Sequence, residues 1–344
     1  MQAVKELLAE LCKYKVVSII GMAKNVSKTT TLNHLIRNAQ DDLKIGLTSI
    51  GRDGEPYDII TQLPKPRIYI KKGTYIATAE KSFKLSKISM ELIKSTGFQT
   101  PLGEILILKS NESGYVELAG PSINSQLSQI CEDLLHFGCE IVLIDGAFDR
   151  KSFASPLISN ATILSTGASV DKNVDYVIDI TVHTVKIFSI QAEKDEEIKS
   201  LVKNIVKDSK IGIITKERII KKINVLTTLD SYNEILENLT PDTEYLIIKG
   251  AITDNLLKSL LEYLKKNKKI TIISEDATKL FISESTLRIY EKMGGIIKVL
   301  NPINIIALTI NPTSPLGYEF NKNEFLKLLK KRITLPIYNL GPCD

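Results

Sequence analysis

The amino-acid sequence predicts an α/β protein with a mainly parallel sheet and helices on both of its faces, followed by a second, smaller α/β lobe. Short runs of apolar, β-branched residues alternate along the chain with longer segments of helical periodicity. This alternation is typical of parallel strands joined by helices. The 344 residues are 43% hydrophobic and 25% charged, as in ordinary globular proteins, and the length suits two domains or one large domain with an appendage.

The first domain is predicted to span residues 1–186. It opens on an amphipathic helix within residues 1–15, where Val4, Leu7 and Leu11 recur at helical spacing. Strands are predicted at 16–20, 45–50, 68–70, 75–78, 140–144 and 161–164. Helices are predicted at 29–38, 80–95, 122–137 and 171–178. A hairpin is predicted to join 104–108 to 115–118, because the residues at 111–114 between them are turn formers.

The second domain is predicted to span residues 187–344. From about residue 187 a charged run appears and the predicted strands become shorter. Its helices are predicted to start within the charged run 193–199 and to cover 255–265 and 284–293. Its strands are predicted at 211–215, 223–226, 245–248, 270–273, 296–300 and 305–310. The turn-rich segment 309–318 would either close over a ligand or form a surface loop.

Composition excludes several classes of partner and site. The chain has 45 lysines and arginines against 40 acidic residues, a net charge of +5, and no block of five basic residues, so we expect no nucleic-acid partner. No apolar stretch approaches the length of a membrane helix, and the N-terminus lacks the pattern of a signal peptide. The four cysteines form no CxxC pair, so a structural zinc site is not expected. We therefore expect a cytoplasmic protein without a membrane partner.

The segment from the first strand to the first helix has the layout of a phosphate-binding P-loop. An apolar strand ends at Gly21, a loop follows, and Lys28-Thr29-Thr30 opens a helix. At such a helix start, backbone N–H groups converge on phosphate oxygens, a lysine supplies positive charge and a hydroxyl holds Mg²⁺. Lys28 and Thr29 would take the last two roles. The motif predicts that the large domain is P-loop NTPase-like.

The match to the pattern GxxxxGK[ST] is imperfect. Counted back from Lys28, the two glycines would fall at Met22 and Ser27, whereas the glycine of this chain, Gly21, comes one place earlier. A side chain at position 27 crowds the approach of a phosphate and disfavours the backbone conformation that glycine permits. The alternative interpretation is a strand–turn–helix with an ordinary helix start. The candidate cofactor-binding residues are Gly21, Lys24, Asn25, Ser27, Lys28, Thr29 and Thr30.

Two aspartates are candidates for the acidic groups of a nucleotide site. The apolar run 140–144 ends in Asp145, which has the form of a Walker B carboxylate that reaches Mg²⁺ directly or through water. Thr29 and Asp145 are therefore the candidate metal ligands. Asp53 follows the second strand and is the candidate for positioning water or a metal ligand. The alternative for Asp53 is an aspartate in a turn between Gly51 and Gly54.

With these motifs, the chain resembles the aminomutase-associated P-loop NTPases, the family that includes the P-loop subunit of the lysine 5,6-aminomutase reactivase. The segments that carry the resemblance are 21–33, 51–55, 65–67 and 145–152. Members of the family carry glycine where this chain has Ser27. The resemblance implies that ATP releases damaged cobalamin from a cobalamin- and pyridoxal-phosphate-dependent aminomutase, together with a second, MutS-like ATPase subunit.

Three functions are consistent with the sequence. The first is an ATP-binding subunit of a reactivating factor or chaperone, a P-loop ATPase if it is active, with ATP and Mg²⁺ as cofactors. The second is a small-molecule ATP-dependent enzyme of the dethiobiotin-synthetase type. The third is a nucleotide-free scaffold with a degenerate P-loop.

Overall fold

The computed structural model describes residues 2–50, 67–146, 155, 158–225, 227–228, 231–267 and 269–340. The chain forms two compact units, unit 1 (Met1–Val182 with Asn304–Asp344) and unit 2 (His183–Ile303). The predicted division into 1–186 and 187–344 differs from this one at its C-terminal end. The segment from Asn304 belongs to unit 1, because its apolar strand pairs with the sheet of that unit.

The helices of the described residues alternate with strands through both units, as the sequence pattern predicts. They are α1 Gln2–Leu11, α2 Lys28–Asn38, α3 Glu80–Lys84, α4 Asn124–His136, α5 Val174–Phe188, α6 Glu196–Asp208, α7 Tyr232–Asn238, α8 Asp254–Ser259, α9 Leu261–Asn267, α10 Glu284–Lys292 and α11 Lys322–Arg332. Among the described residues, no helix combines the length and the apolar character needed to cross a membrane.

Most strands are short, and the parallel strands of the large sheet are almost fully buried. Those of unit 1 are β1 Val16–Gly21, β2 Ile45–Ser49, β3 Ile68–Ile70, β4 Tyr75–Ala79, β5 Met90–Thr100, β6 Gly103–Ser110, β7 Gly114–Val116, β8 Ile141–Asp145 and β9 Ala161–Gly167. Those of unit 2 are β10 Ile211–Thr215, β11 Ile220–Ile223, β12 Thr243–Ile248, β13 Ile252–Thr253, β14 Ile270–Ser274, β15 Leu280–Phe281 and β16 Gly295–Val299. Two further strands return to unit 1, β17 Ile305–Asn311 and β18 Ile337–Tyr338.

Unit 1 contains a nine-stranded sheet in the order β18-β17-β9-β1-β8-β2-β4-β6-β5. Neighbours from β18 to β4 pair in parallel, and β6 pairs antiparallel with both β4 and β5. The predicted α/β class with a mainly parallel sheet is confirmed. Because the carboxyl ends of parallel strands meet at one edge, the residues that follow β1, β8, β9 and β17 come together there.

Side chains of the central strands alternate between two cores, one on each face of the sheet. On one face, Val17 and Ile19 of β1 pack in a cluster with Leu32 and Leu35 of α2. On the other face, Val142 of β8 packs in a cluster with residues of α4. Each of the four named side chains of the first cluster is fully buried. This burial fixes the ends of β1 and α2, and with them the loop that joins the two elements.

Two predictions for residues 80–118 are wrong. The predicted helix 80–95 ends at Lys84, and Met90–Thr100 is an edge strand that turns back through Pro101 and Leu102 into β6. The β-forming residues Thr96, Phe98 and Thr100 favour the strand. The predicted hairpin does not form either, because the buried strand β6 pairs with β4 and β5, while β7 pairs with β3.

Unit 2 is a smaller α/β unit with a five-stranded sheet in the order β11-β10-β12-β14-β16. The strands β12, β14 and β16 are parallel, and β10 runs antiparallel to both of its neighbours. Residues of α6 pack against this sheet in a cluster with Ile247 and Ile273. The strand predicted at 223–226 is β11 and lies earlier, at Ile220–Ile223.

Candidate phosphate-binding site

The loop between β1 and α2 begins at the carboxyl edge of the unit 1 sheet. β1 is buried along its whole length and lies between β8 and β9. Beyond the strand, the Met22 N–H still donates to the Ser165 carbonyl of β9 over 2.9 Å. The loop then runs to Ser27, whose carbonyl accepts the Thr31 N–H of α2 over 2.9 Å. The sequence therefore forms the strand–loop–helix that a phosphate-binding loop requires.

Ser27 has the left-handed backbone conformation that the motif normally reserves for glycine. Its φ is +66° and its ψ is +29°, and Asn25 also has a positive φ of +59°. Asparagine tolerates this region, whereas for serine it costs roughly 1–2 kcal/mol. Within the described part of the chain, the Ser27 side chain makes no capping hydrogen bond to α2. A non-glycine residue thus has the backbone conformation that glycine adopts readily.

The side chain of Lys28 folds back over the loop. Its Nζ donates to the Ala23 carbonyl over 3.3 Å. A Cβ added to Gly21 would lie 2.8 Å from Lys28 Nζ and 2.7 Å from Val26 Cγ2, both too close for a real contact. Gly21 therefore has a structural reason that the motif count did not supply: it leaves room for the Val26 and Lys28 side chains.

Asp145 ends β8, the strand next to β1. In the sheet register it is opposite Ile19 of β1 and opposite Ser49 of β2. Burial raises the pKa of its carboxyl to about 6, although the nearby Lys28 ammonium acts in the opposite direction. The two predicted charges of the site therefore interact, and above pH 6 a desolvated carboxylate faces the lysine of the loop.

The other predicted site residues differ in exposure. Thr29 and Thr30 lie in the first turn of α2 and are partly exposed, while Lys24 in the loop is exposed. Asp53 lies outside the described residues. The strand before it, β2, ends at Ser49 beside Asp145.

The sequence did not single out three polar residues that contact this region. Ser169 and Asn311 both donate to the Asn25 carbonyl of the loop. Thr309 of β17 accepts a hydrogen bond from Thr31 of α2 over 3.3 Å. Asn311 and Thr309 belong to the turn-rich segment 309–318, whose composition was the one available signal. The start of this segment therefore lies beside the loop between β1 and α2.

The fit of Mg²⁺ and a nucleotide depends on the chemistry of these side chains. Among the described residues, no group of three or more His, Cys, Asp or Glu side chains has the arrangement of a metal site. Mg²⁺ in nucleotide sites needs only one or two protein ligands, because phosphate oxygens and water complete its octahedron. The Thr29 hydroxyl and the Asp145 carboxylate are oxygen ligands of the kind that Mg²⁺ binds, and the Lys28 ammonium suits a phosphate.

Comparison with known proteins gives no match, either to a family model, to a curated protein or to a solved structure. A functional assignment therefore depends on features of the chain itself. These are Lys28 folded over Gly21, the left-handed Ser27 and the desolvated Asp145 on the neighbouring strand.

Proposed function

We propose that this chain binds Mg-ATP at the loop between β1 and α2 and is the ATP-binding subunit of a reactivating factor for a cobalamin- and pyridoxal-phosphate-dependent aminomutase. The observation that carries the nucleotide part is geometric: the Lys28 side chain folds back over the loop at the start of α2, and Asp145 ends β8, the strand next to β1. A lysine folded over a loop at a helix start, beside a desolvated carboxylate at the end of the adjacent strand, suits a phosphate and its metal ion. The partner part rests on the sequence resemblance.

Each residue of the site has a distinct proposed role. Lys28 would neutralise negative charge on the β- and γ-phosphates, and the backbone N–H groups at the start of α2 would bind phosphate oxygens. Thr29 and Asp145 would hold Mg²⁺, directly or through water, and Asp53 would position water or the metal. The bound ion would supply further charge neutralisation. Order in the loops near Asp53 and Asp145 would then depend on the γ-phosphate, which is how nucleotide switches couple binding to a partner.

Calorimetric titration of the full chain with Mg-ATP tests nucleotide binding. We expect the Lys28→Ala variant to bind at least tenfold more weakly, because a hydrogen bond to a charged group contributes about 1.5–3 kcal/mol. The matched control is Lys15→Ala, which removes an exposed lysine just before β1. Equal affinity in the wild type and both variants would show that the loop is not the nucleotide site.

A second assay tests the partner. An aminomutase that carries damaged cobalamin is incubated with Mg-ATP, the MutS-like subunit and this chain, and recovered aminomutase activity is measured. We expect recovery with the wild type and none with Lys28→Ala. If a small metabolite stimulates ATP consumption without any protein partner, the chain is instead an enzyme of the dethiobiotin-synthetase type. If the wild type binds no Mg-ATP, the scaffold interpretation is correct.

A further inference from the structure

The Asn25 carbonyl receives hydrogen bonds from two distant parts of the chain. Ser169 Oγ donates to it over 3.1 Å and Asn311 Nδ2 over 3.4 Å. Ser169 follows β9, and Asn311 is the last residue of β17. Both donors therefore act on the peptide group that follows the first left-handed residue of the loop, two positions before Ser27.

Asn311 is itself rigidly held in the orientation that this contact needs. Its Oδ1 accepts the Thr313 N–H over 3.1 Å, so its Nδ2 is the atom directed at the loop. Its backbone carbonyl accepts the Ala168 N–H over 2.8 Å. A Cβ on Gly167 would lie 2.0 Å from the same carbonyl oxygen, so only glycine allows β9 and β17 to approach this closely.

The left-handed Ser27 needs such support. In an unconstrained chain, serine adopts this conformation rarely, whereas glycine adopts it readily. A loop that must hold both Asn25 and Ser27 at positive φ would populate other conformations unless neighbouring groups restrain it. The hydrogen bonds to the Asn25 carbonyl restrain this peptide group, and neither donor needs to contact a phosphate to do so.

We infer that Ser169 and Asn311 are positioning residues that hold the phosphate loop in its left-handed course, in place of the glycine that the motif usually has at position 27. The expected consequence of this restraint is tighter phosphate binding, and that part of the inference rests on the proposed function. The structural part, the restraint of the loop, is measurable without nucleotide. The two parts can therefore fail separately.

The experiment compares the full-length wild type with Ser169→Ala and with the double variant Ser169→Ala/Asn311→Ala, each with serine and with glycine at position 27. Mg-ATP affinity is measured by calorimetry, and amide hydrogen exchange of residues 22–28 is measured without nucleotide. We expect about a fivefold loss of affinity in the single variant and more than tenfold in the double variant. With Ser27→Gly we expect the loss to shrink to about twofold or less, because glycine adopts the left-handed conformation unaided.

Ser125→Ala on the exposed start of α4 is the matched control for the change of a hydroxyl to a methyl group, and we expect it to change neither affinity nor exchange. Faster loop exchange with weaker binding and glycine rescue supports the inference. Unchanged exchange in the double variant overturns the restraint, and faster exchange with unaltered affinity overturns its consequence for phosphate binding. Faster exchange in a chain whose wild type binds no Mg-ATP supports the restraint and refutes the proposed function. If the double variant does not fold, the single variant decides by the same criteria.

Discussion

Replacing Asp145 by asparagine should stabilise the nucleotide-free protein while it weakens Mg-ATP binding. Burial raises the pKa of this carboxyl from its ordinary 3.8 to about 6, so the folded protein binds the proton more tightly than the unfolded chain does. The associated stability is complete below pH 3.8 and is lost as the pH rises through about 6. At about 1.36 kcal/mol per pH unit, the ionised carboxylate costs the fold about 3 kcal/mol at pH 7.5.

Asparagine has no charge to desolvate, so Asp145→Asn should recover up to about 3 kcal/mol at pH 7.5. At pH 5, where the wild-type carboxyl is largely protonated, the difference between variant and wild type should be about 1.4 kcal/mol smaller. Urea unfolding of the full chain at both pH values measures the effect, and hydrogen exchange of the β8 amides assigns it to unit 1. In the same variant, Mg-ATP affinity should fall, because the amide cannot replace a carboxylate at Mg²⁺.

Asp41→Asn is the control, because the pKa of the Asp41 carboxyl is shifted in the opposite direction. Lys71 lies 2.7 Å from the Asp41 carboxylate and lowers the pKa of that group, so this variant should gain no stability at pH 7.5. The reasoning about Asp145 is refuted if its asparagine variant loses stability equally at pH 5 and pH 7.5. That result would mean that the carboxylate has a structural partner and is not held desolvated for a ligand.

Two further predictions concern other parts of the chain. Tyr290 is fully buried, and its hydroxyl has no hydrogen-bond partner among the described residues; Tyr290→Phe should therefore raise the free energy of unfolding by about 1 kcal/mol. Tyr263→Phe removes a hydroxyl that donates to a backbone carbonyl over 2.7 Å, so it should lower the free energy of unfolding by a similar amount. Equal losses of this free energy in the urea titrations of the two variants would contradict the prediction. Burial raises the pKa of the Cys131 and Cys139 thiols to about 12, so at pH 8 only about one in ten thousand is a thiolate. Mass spectrometry after brief alkylation should find the exposed Cys12 modified and the two buried thiols protected until urea is added, whereas equal native rates would refute this.

The sequence predicted those parts of the fold and site that local patterns determine. Lys28 and Asp145 could be placed at one edge of the sheet from the sequence, because Asp145 ends an apolar strand and Lys28 follows the loop after another, and parallel strands bring such ends together. The reason for Gly21 was not predictable, since it depends on how the Val26 and Lys28 side chains pack against it.

Contacts between segments that are distant along the chain could not be predicted from the sequence. Asn311 is 286 residues from Asn25 along the chain, and its role depends on β17 pairing with β9. The sequence identified β17 as a strand but assigned it to the second domain, because nothing in an apolar run specifies its partner. The strand at Met90–Thr100 was missed for a related reason, because pairing with β6 decided its conformation.

Because β17 belongs to unit 1 but follows unit 2 in the sequence, the sheet of unit 1 is completed only after unit 2 has been synthesised. The outer side of β9 is without its neighbour until the roughly 120 residues of unit 2 have been made. At typical elongation rates of about 5–20 residues per second, this interval lasts roughly 6–24 s. Asn311 emerges only at its end, so a nascent or C-terminally truncated chain has Lys28, Asp145 and Ser169 but lacks the second donor to the Asn25 carbonyl. The proposed nucleotide affinity should therefore reach its full value late, as one of the last properties of the newly made protein.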